Sequence, residues 1–285
     1  MGTVFLNGEF MPMSEAKISP MDRGFLFGDG IYEVIPSYAA KLVGFKPHMK
    51  RLQVGLQAIG MGMPMAISDI QTVIDRLVVD NGAGNLGIYL HVSRGTDSKR
   101  FHAYPTGVSQ TVFAFTFEIP PEPVADKQHV KGYKVVSSAD LRWKRCHIKS
   151  TSLLGNVMHF QQSQTAGVNE TLLYNDAGYL TEASACNVFI VQQNTIITPP
   201  LSEQLLPGIT RGMLLDILKV DGHLHFEERA IHMDEVRNAD EIWLTSSSKE
   251  IAPVIELDGK PVGNGQVGEM WLKAQSLFSA HKYNY

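Results

Sequence analysis

The sequence predicts an α+β fold in two domains, and three observations carry that reading. The chain has 285 residues, more than one compact core comfortably serves. Its apolar pattern switches between a period near two and a period near 3.6 without the strict strand–helix–strand rhythm of a doubly wound sheet. One break in composition also stands out: in "FEIPPEPVADKQ", residues 117–128, Pro120, Pro121 and Pro123 restrict their own φ and their predecessors, so the backbone runs extended. That break predicts a smaller N-terminal α/β domain over 1–117, a linker over 118–126 and a larger C-terminal domain over 127–285.

The elements follow in order. "TVFLNGEFMP" reads as a hairpin turning at Asn7-Gly8. Met49, Leu52, Leu56 and Ile59 recur at helical spacing, and Gly60 ends the run. Ser68 and Gln71 fit a capping box ahead of Ile70, Val73, Ile74, Leu77 and Val78, with Asn81-Gly82 closing that helix. "GIYLHVSRG" and "TVFAFTFEI" alternate as strands. Beyond the linker, "YKVVSSADLRW", "TLLYN", "NVFIVQQNTIITP" and "EIWLTSS" predict strands. Residues 152–166 predict a helix stopped by Gly167, and another starts at Thr210 behind Pro207-Gly208. "VIELDGKPVG" reads as a closing hairpin, and a terminal helix covers 267–281.

Composition excludes several classes. Hydrophobic residues at 44% and charged residues at 19% are those of a soluble globular protein. A formal net charge of −4 gives no general attraction to nucleic acid or anionic membrane. No apolar run approaches the roughly 18 residues of a membrane-spanning helix. The opening "MGTVFLNGEFMPMSEAK" has no basic region followed by an apolar stretch, so no signal peptide is expected and the cytoplasm is the expected compartment. Cys146 and Cys186 are too few for a zinc cluster and read as reduced thiols, and no metal site is expected.

Four segments offer chemistry. "LRWKRCHIKSTSLLGN", residues 141–156, gathers Arg142, Lys144, Arg145, His147 and Lys149. By itself it reads as a solvated basic loop. Two features single out Lys149: it falls just before a helix predicted to begin near Ser150, whose N-terminal N–H groups disfavour further positive charge, and in an extended chain it shares a face with Arg145 and His147. Such surroundings lower a lysine pKa and make the amine nucleophilic towards carbonyls, which suits an aldehyde-bearing cofactor. In "LTEASACNVF", Glu182 alone reads as a solvated cap. The small residues Ala183, Ser184 and Ala185 nevertheless let a flat ring approach the backbone, where a buried carboxylate holds a proton on a heteroaromatic nitrogen. Gly208-Ile209-Thr210 opens a helix, and Ser246 and Ser247 end a strand; each is an ordinary cap alone, and together they would cradle a phosphate. Finally, "SRGTDSKRFHAYP" places Arg94, Lys99, Arg100 and His102 in a loop suited to an anion, and Arg100 can grip a carboxylate with its planar fork. The alternative there is a solvated loop.

Read in order, six colinear stretches resemble the class IV, or fold type IV, pyridoxal-phosphate (PLP) aminotransferases, and their D-amino acid (D-alanine) branch most of all. They are "DRGFLFGDGIYEV", "RGTDSKRFHAYP", "RCHIKSTSLLGNV", "LTEASACNVF", "LPGITRG" and "LTSSSKEIAPVIELDG". The resemblance implies a two-domain fold whose larger part binds pyridoxal 5'-phosphate. It makes Lys149 the Schiff-base lysine and the base that moves a proton between the substrate α-carbon and the cofactor. Glu182 is then the acid beside the pyridine nitrogen, and Arg51 the phosphate-binding arginine. Ile209, Thr210, Ser246 and Ser247 form the phosphate cup. Leu206 lies against the ring, and Val34 shapes the side-chain pocket. Tyr32, Arg100 and His102 match the trap for the substrate carboxylate, the last two supplied by a partner subunit, which implies a homodimer with composite active sites. The implied reaction is ping-pong transamination between a D-amino acid, such as D-alanine or D-glutamate, and a 2-oxo acid, such as pyruvate or 2-oxoglutarate.

The same fold also serves 4-amino-4-deoxychorismate lyases and branched-chain or (R)-amine transaminases. From a different class comes a non-catalytic anion- or RNA-binding protein, against which stand the acidic net charge and the lack of interleaved aromatics beyond Trp143. Three positions depart from the family pattern: His147 replaces an acid usual two residues before the lysine, the carboxylate loop is slightly longer, and Ala183 stands where glycine is common.

Overall fold

In the computed structural model, which describes residues 2–285, the chain groups into two units. One runs through Glu122 and also takes Ile148–Leu153 and Tyr285; the other comprises Pro123–His147 and Leu154–Asn284.

The first unit contains strands β1 (Thr3–Leu6), β2 (Glu9–Pro12), β3 (Gly30–Tyr38), β4 (Lys41–Leu42), β5 (Leu86–Ser93) and β6 (Thr111–Glu118), and helices α1 (Arg23–Phe27), α2 (Phe45–Ala58) and α3 (Ile67–Asp80). Asn7 and Gly8 take φ of 50° and 100°, the left-handed pair that a tight hairpin between β1 and β2 demands. The strands form one antiparallel sheet in the order β2-β1-β6-β5-β3-β4. Alternation along β3 decides what each face carries. Ile31, Glu33 and Ile35 are fully buried, and Tyr32 and Val34 lie half-buried on the other face. Against the first face pack Met49, Leu52 and Leu56 of α2 and Ile70, Ile74 and Leu77 of α3. Each such side chain contributes about 2 kcal/mol of apolar burial, so this stripe anchors the site-bearing strand.

The expected capping box is not formed. Helix α3 begins at Ile67 behind Ala66, which offers no side-chain cap. Ser68 already lies inside the first turn, its carbonyl accepting from Thr72, and Gln71 bonds Asp75. Asp69 answers the helix dipole in the place of a cap.

The second unit contains β7 (Tyr133–Ala139), β8 (Glu170–Tyr174), β9 (Leu180–Ala183), β10 (Asn187–Gln192), β11 (Thr195–Thr198), β12 (Phe226–Glu228), β13 (Glu241–Ser246), β14 (Glu250–Leu257) and β15 (Lys260–Pro261), with helices α4 (Leu154–Thr165), α5 (Ile209–Asp221), α6 (Met233–Arg237) and α7 (Glu269–His281). Its mixed sheet runs β12-β11-β10-β13-β14-β7-β8-β9, with β15 on β14. "NVFIVQQNTIITP" folds as two strands, because Gln193 and Asn194 both enter positive φ and reverse the chain. The terminal helix α7 buries Met270, Trp271, Ala274 and Phe278. Just beyond it, Lys282 is fully buried and pairs with Glu250, to which Gln275 also donates at 2.8 Å.

The segment around Lys149 differs from the expectation in two ways. It is neither a continuous strand nor the start of a helix. Strand β7 ends at Ala139 because the Asp140 carboxylate accepts the Arg142 N–H at 3.1 Å and bends the chain. A turn at Cys146-His147 then interrupts the extended chain, with Arg145 and His147 exposed and Lys149 half-buried. Cys146 is buried, as its opposite-facing position suggested, although through a turn in which Sγ contacts the Trp143 carbonyl. Helix α4 begins only at Leu154. Residues 148–151 are held extended along the start of β3: the Tyr32 N–H donates to the Lys149 carbonyl at 3.1 Å, and the Thr151 N–H to that of Gly30 at 3.0 Å. Ile148 packs into the first unit's core. These bonds are why Ile148–Leu153 leaves the stretch the sequence assigned to a single domain, 127–285.

Candidate active site

In the first unit, the extended backbone carries Lys149 to the half-buried face of β3. Its Nζ lies 3.3 Å from Tyr32 Oη and 4.3 Å from the centroid of that ring. Tyr32 stacks on Tyr89, with centroids 5.5 Å apart. Val34, on the same face, stands opposite Tyr89 in the β3–β5 register. Burial, together with Tyr32, pushes the Tyr89 phenol up to about 12. On the other face of β3, Glu33 accepts from Arg51 at 2.8 and 2.6 Å and from His48 at 2.7 Å. Burial alone would raise the Glu33 carboxyl, but the Arg51 guanidinium and His48 bring it down to about 2. His48 is held below the usual histidine range, by burial first. Arg51 therefore presents Nε and Nη2 to a carboxylate of its own chain.

The expected carboxylate loop divides. Arg100 and His102 are exposed, whereas Arg94 is buried and turned inward. Arg94 donates to both Asp29 oxygens, at 2.8 and 3.0 Å, and stacks 3.6 Å from the centroid of Tyr104. It is thus a structural cation and not an anion-seeking one. Lys99 Nζ lies 5.1 Å from the Phe101 ring.

In the second unit, β9 buries Glu182. One oxygen accepts from Arg142 at 2.5 Å; the other accepts from the Leu206 N–H at 3.0 Å and from Asn187 at 3.2 Å. Arg142 is held in turn by Asp140, at 3.0 and 2.8 Å, and Asp140 accepts from Thr181. Burial pushes the Glu182 carboxyl up to about 7 against the pull of Arg142. Asp140, Arg142 and Asn187 escaped sequence reasoning: Arg142 read as one member of a basic stretch, and a carboxylate forty residues on leaves no local trace of the pairing. Of that stretch, Lys144, Arg145 and His147 are exposed.

Helix α5 opens at Ile209 behind Gly208, with no side chain capping its first N–H groups. A Cβ on Gly208 would lie 1.9 Å from Asn187 Oδ1, so a larger residue would displace the Asn187 amide. Asn187 also donates to the carbonyl of Leu206 at 2.8 Å. Thr210 is buried, and α5 packs on β13. At the end of β13, the Thr245 and Ser246 hydroxyls are buried without an oxygen or nitrogen partner, and Ser247 follows half-buried. The buried Thr245 hydroxyl, the Ser246 hydroxyl beside the Cys186 thiol and an uncapped helix start are donors of the kind a phosphate ester requires.

The model for "Amino-transferase class IV" matches residues 30–257, most of the chain. The chain belongs to the class IV aminotransferases. It is 37% identical over 273 residues to the D-alanine aminotransferase of Bacillus licheniformis, covering 96% of this chain and 94% of that protein. To the D-alanine aminotransferase of Staphylococcus epidermidis it is 34% identical over 284 residues, covering 99% and 98%. Among solved structures, the Escherichia coli branched-chain amino acid aminotransferase superposes with a TM-score of 0.87 at 23% identity, covering 99% of this chain and 94% of that one. A hypothetical aminotransferase from Mycobacterium tuberculosis in its PLP-bound form gives 0.84 at 20%, covering 98% of each. These two likenesses establish the fold type IV architecture. Among the described residues, no helix of this aminotransferase is long and apolar enough to cross a membrane.

Proposed function

We propose that this class IV aminotransferase uses pyridoxal 5'-phosphate to move an amino group between a D-amino acid and a 2-oxo acid, with D-alanine or D-glutamate as donor and pyruvate or 2-oxoglutarate as acceptor. The observation that carries the reading is the near-full-length identity to D-alanine aminotransferases. When bound, the cofactor supplies an aldehyde that condenses with amines and a ring that withdraws electrons once its nitrogen is protonated.

The chain's own residues do the rest. Lys149 would hold that aldehyde, and its amine is placed to take and return the proton at the substrate α-carbon. Its hydrogen bond to Tyr32 Oη holds the amine in one direction. Glu182 keeps a proton on the ring nitrogen; the Leu206 N–H and Asn187 fix the oxygen opposite the one Arg142 holds. Thr210, Ser246 and Ser247, with the first N–H groups of α5 at Ile209, bind the phosphate, and Arg51 adds a cation steadied by Glu33. Leu206 packs against the ring, and Val34 limits the side chain. Tyr32, with Arg100 and His102 from a second copy of the chain in a homodimer, fixes the carboxylate. A fixed carboxylate decides which hand of amino acid presents its α-hydrogen to Lys149. The cytoplasm is the proposed compartment.

The test is pyruvate formation from D-alanine plus 2-oxoglutarate, run beside L-alanine, L-leucine and 4-amino-4-deoxychorismate. Turnover of D-alanine alone is the expected result. Turnover of L-leucine without D-alanine, or of aminodeoxychorismate alone, overturns the assignment. Lys149→Ala is expected to abolish the borohydride-sensitive absorbance of the PLP-loaded protein and to lower turnover by at least about a thousandfold.

A further inference from the structure

We infer that Arg23 and Phe27, on the short helix α1, are positioning residues for carboxylate recognition, and that α1 is the template against which the Arg100–His102 loop takes its shape. The inference rests on the proposed role of Arg100 and His102 and assigns a task to the "DRGFLFGDG" stretch, which otherwise contributes nothing to the reaction.

Two sets of contacts carry it. The first fixes the loop backbone. Arg23 is 3% exposed, and its guanidinium donates to the Phe101 carbonyl at 2.6 Å and the His102 carbonyl at 3.3 Å. Its Nε donates to Asp29 at 2.8 Å, and the same carboxylate holds Arg94 where the loop leaves β5. The Arg23 N–H donates to the Gly95 carbonyl at 2.9 Å. Gly95 takes φ of 97°, and a Cβ there would lie 1.9 Å from the Ser109 carbonyl, so the loop enters through a turn that only glycine makes. One buried guanidinium thus ties the loop's entry to the two carbonyls that follow Arg100.

The second set fixes the side chains. The Phe27 ring has the Arg100 guanidinium carbon 5.2 Å from its centroid, the Arg23 guanidinium carbon at 4.9 Å and the His102 ring at 5.4 Å. Two expected carboxylate-binding groups therefore lie around one aromatic ring, and both are exposed. An exposed arginine has many rotamers of similar energy, and the negative face of an aromatic ring favours those that place the cation over it. The ring narrows that population before substrate arrives, which lowers the ordering cost of gripping a carboxylate.

Because α1 holds no reacting atom, its loss weakens substrate capture and spares the chemical step. In the PLP-loaded enzyme, Phe27→Leu and Arg23→Lys are each expected to raise KM for D-alanine and for 2-oxoglutarate about tenfold, with kcat within about twofold. Bound-cofactor absorbance and the thermal midpoint are expected to stay near wild type in Phe27→Leu, and Phe27→Tyr, which keeps the ring, is expected to restore KM. Arg100→Ala serves as the reference. If it raises KM and Phe27→Leu does not, the template is refuted while the role of Arg100 stands. If Arg100→Ala leaves KM unchanged, the carboxylate assignment itself fails and the template with it. A Phe27→Tyr enzyme as impaired as Phe27→Leu also refutes the role of the ring.

Discussion

Glu33 and Glu182 are both carboxylates withdrawn from water, and their surroundings drive them in opposite directions. Around Glu33, Arg51 donates twice and His48 once, enough to outweigh burial and hold the carboxyl near 2. Around Glu182, burial outweighs Arg142 and the carboxyl rises to about 7, a value suited to sharing a proton with a ring nitrogen. The first case has a consequence for stability. A carboxyl depressed below its unfolded value contributes stability above about 4.5 that is lost as pH falls towards 2. His48, depressed below 6.5, contributes stability above that value that is lost as pH falls through it. Urea midpoints of the cofactor-free protein therefore give a testable difference: between pH 7 and pH 5, wild type is expected to lose more stability than His48→Gln, whose side chain keeps a hydrogen bond without titrating. Equal losses would show that His48 does not titrate on unfolding. At this scale the sequence named Lys149, Glu182, Arg51 and Tyr32 through a family likeness, and local reasoning singled out Lys149 on the premise of an extended chain running into a helix. A turn at Cys146-His147 interrupts that extended chain, and the hydrogen bond to Tyr32, far away in the chain, cannot be read from spacing.

Elements were more legible than residues, because one-sided burial imposes a period that a single sequence records. The stripe of α3, from Ile70 to Val78, and the Asn7-Gly8 hairpin both emerge where expected. Ends were less legible, since capping depends on the φ and ψ of one residue. Ala66 takes φ of −63° and ψ of 150°, the geometry of a cap, but has no side chain to use it. Ala66→Ser is expected to supply the missing bond and add about 1 kcal/mol to unfolding free energy, as read by urea denaturation with activity unchanged. No gain would mean that water already satisfies those N–H groups. The start of α4 was misplaced for a different reason. The helix was expected to begin near Ser150–Ser152, and the sheet-edge bonds of Lys149 and Thr151 to Tyr32 and Gly30 hold the chain before it extended, so that α4 starts at Leu154. Competition from a distant strand leaves no periodic signature.

For the molecule as a whole, the class was legible from periodicity and the proline-rich break, whereas the path of the chain was not. Ile148–Leu153 returns to the first unit, so the lysine-bearing stretch is stabilised by a sheet built from residues 3–118. The C-terminal residues make a similar long-range connection. Glu250, at φ of 52°, occupies a backbone region that L-residues enter at a cost, and it directly follows the serine-rich turn after β13. Lys282 and Gln275 are what it receives in return. A chain shortened at Ala280 deprives that buried carboxylate of its lysine and is expected to lose about 3 kcal/mol of unfolding free energy, with weaker affinity for PLP. An unchanged urea midpoint would show that the pair is dispensable. The segment after α7 is therefore no neutral handle: trimming it for crystallisation, or exchanging it with that of another family member, would disturb the end of the strand that carries Ser246, and a fusion partner is better joined beyond Tyr285 than in place of the last turn.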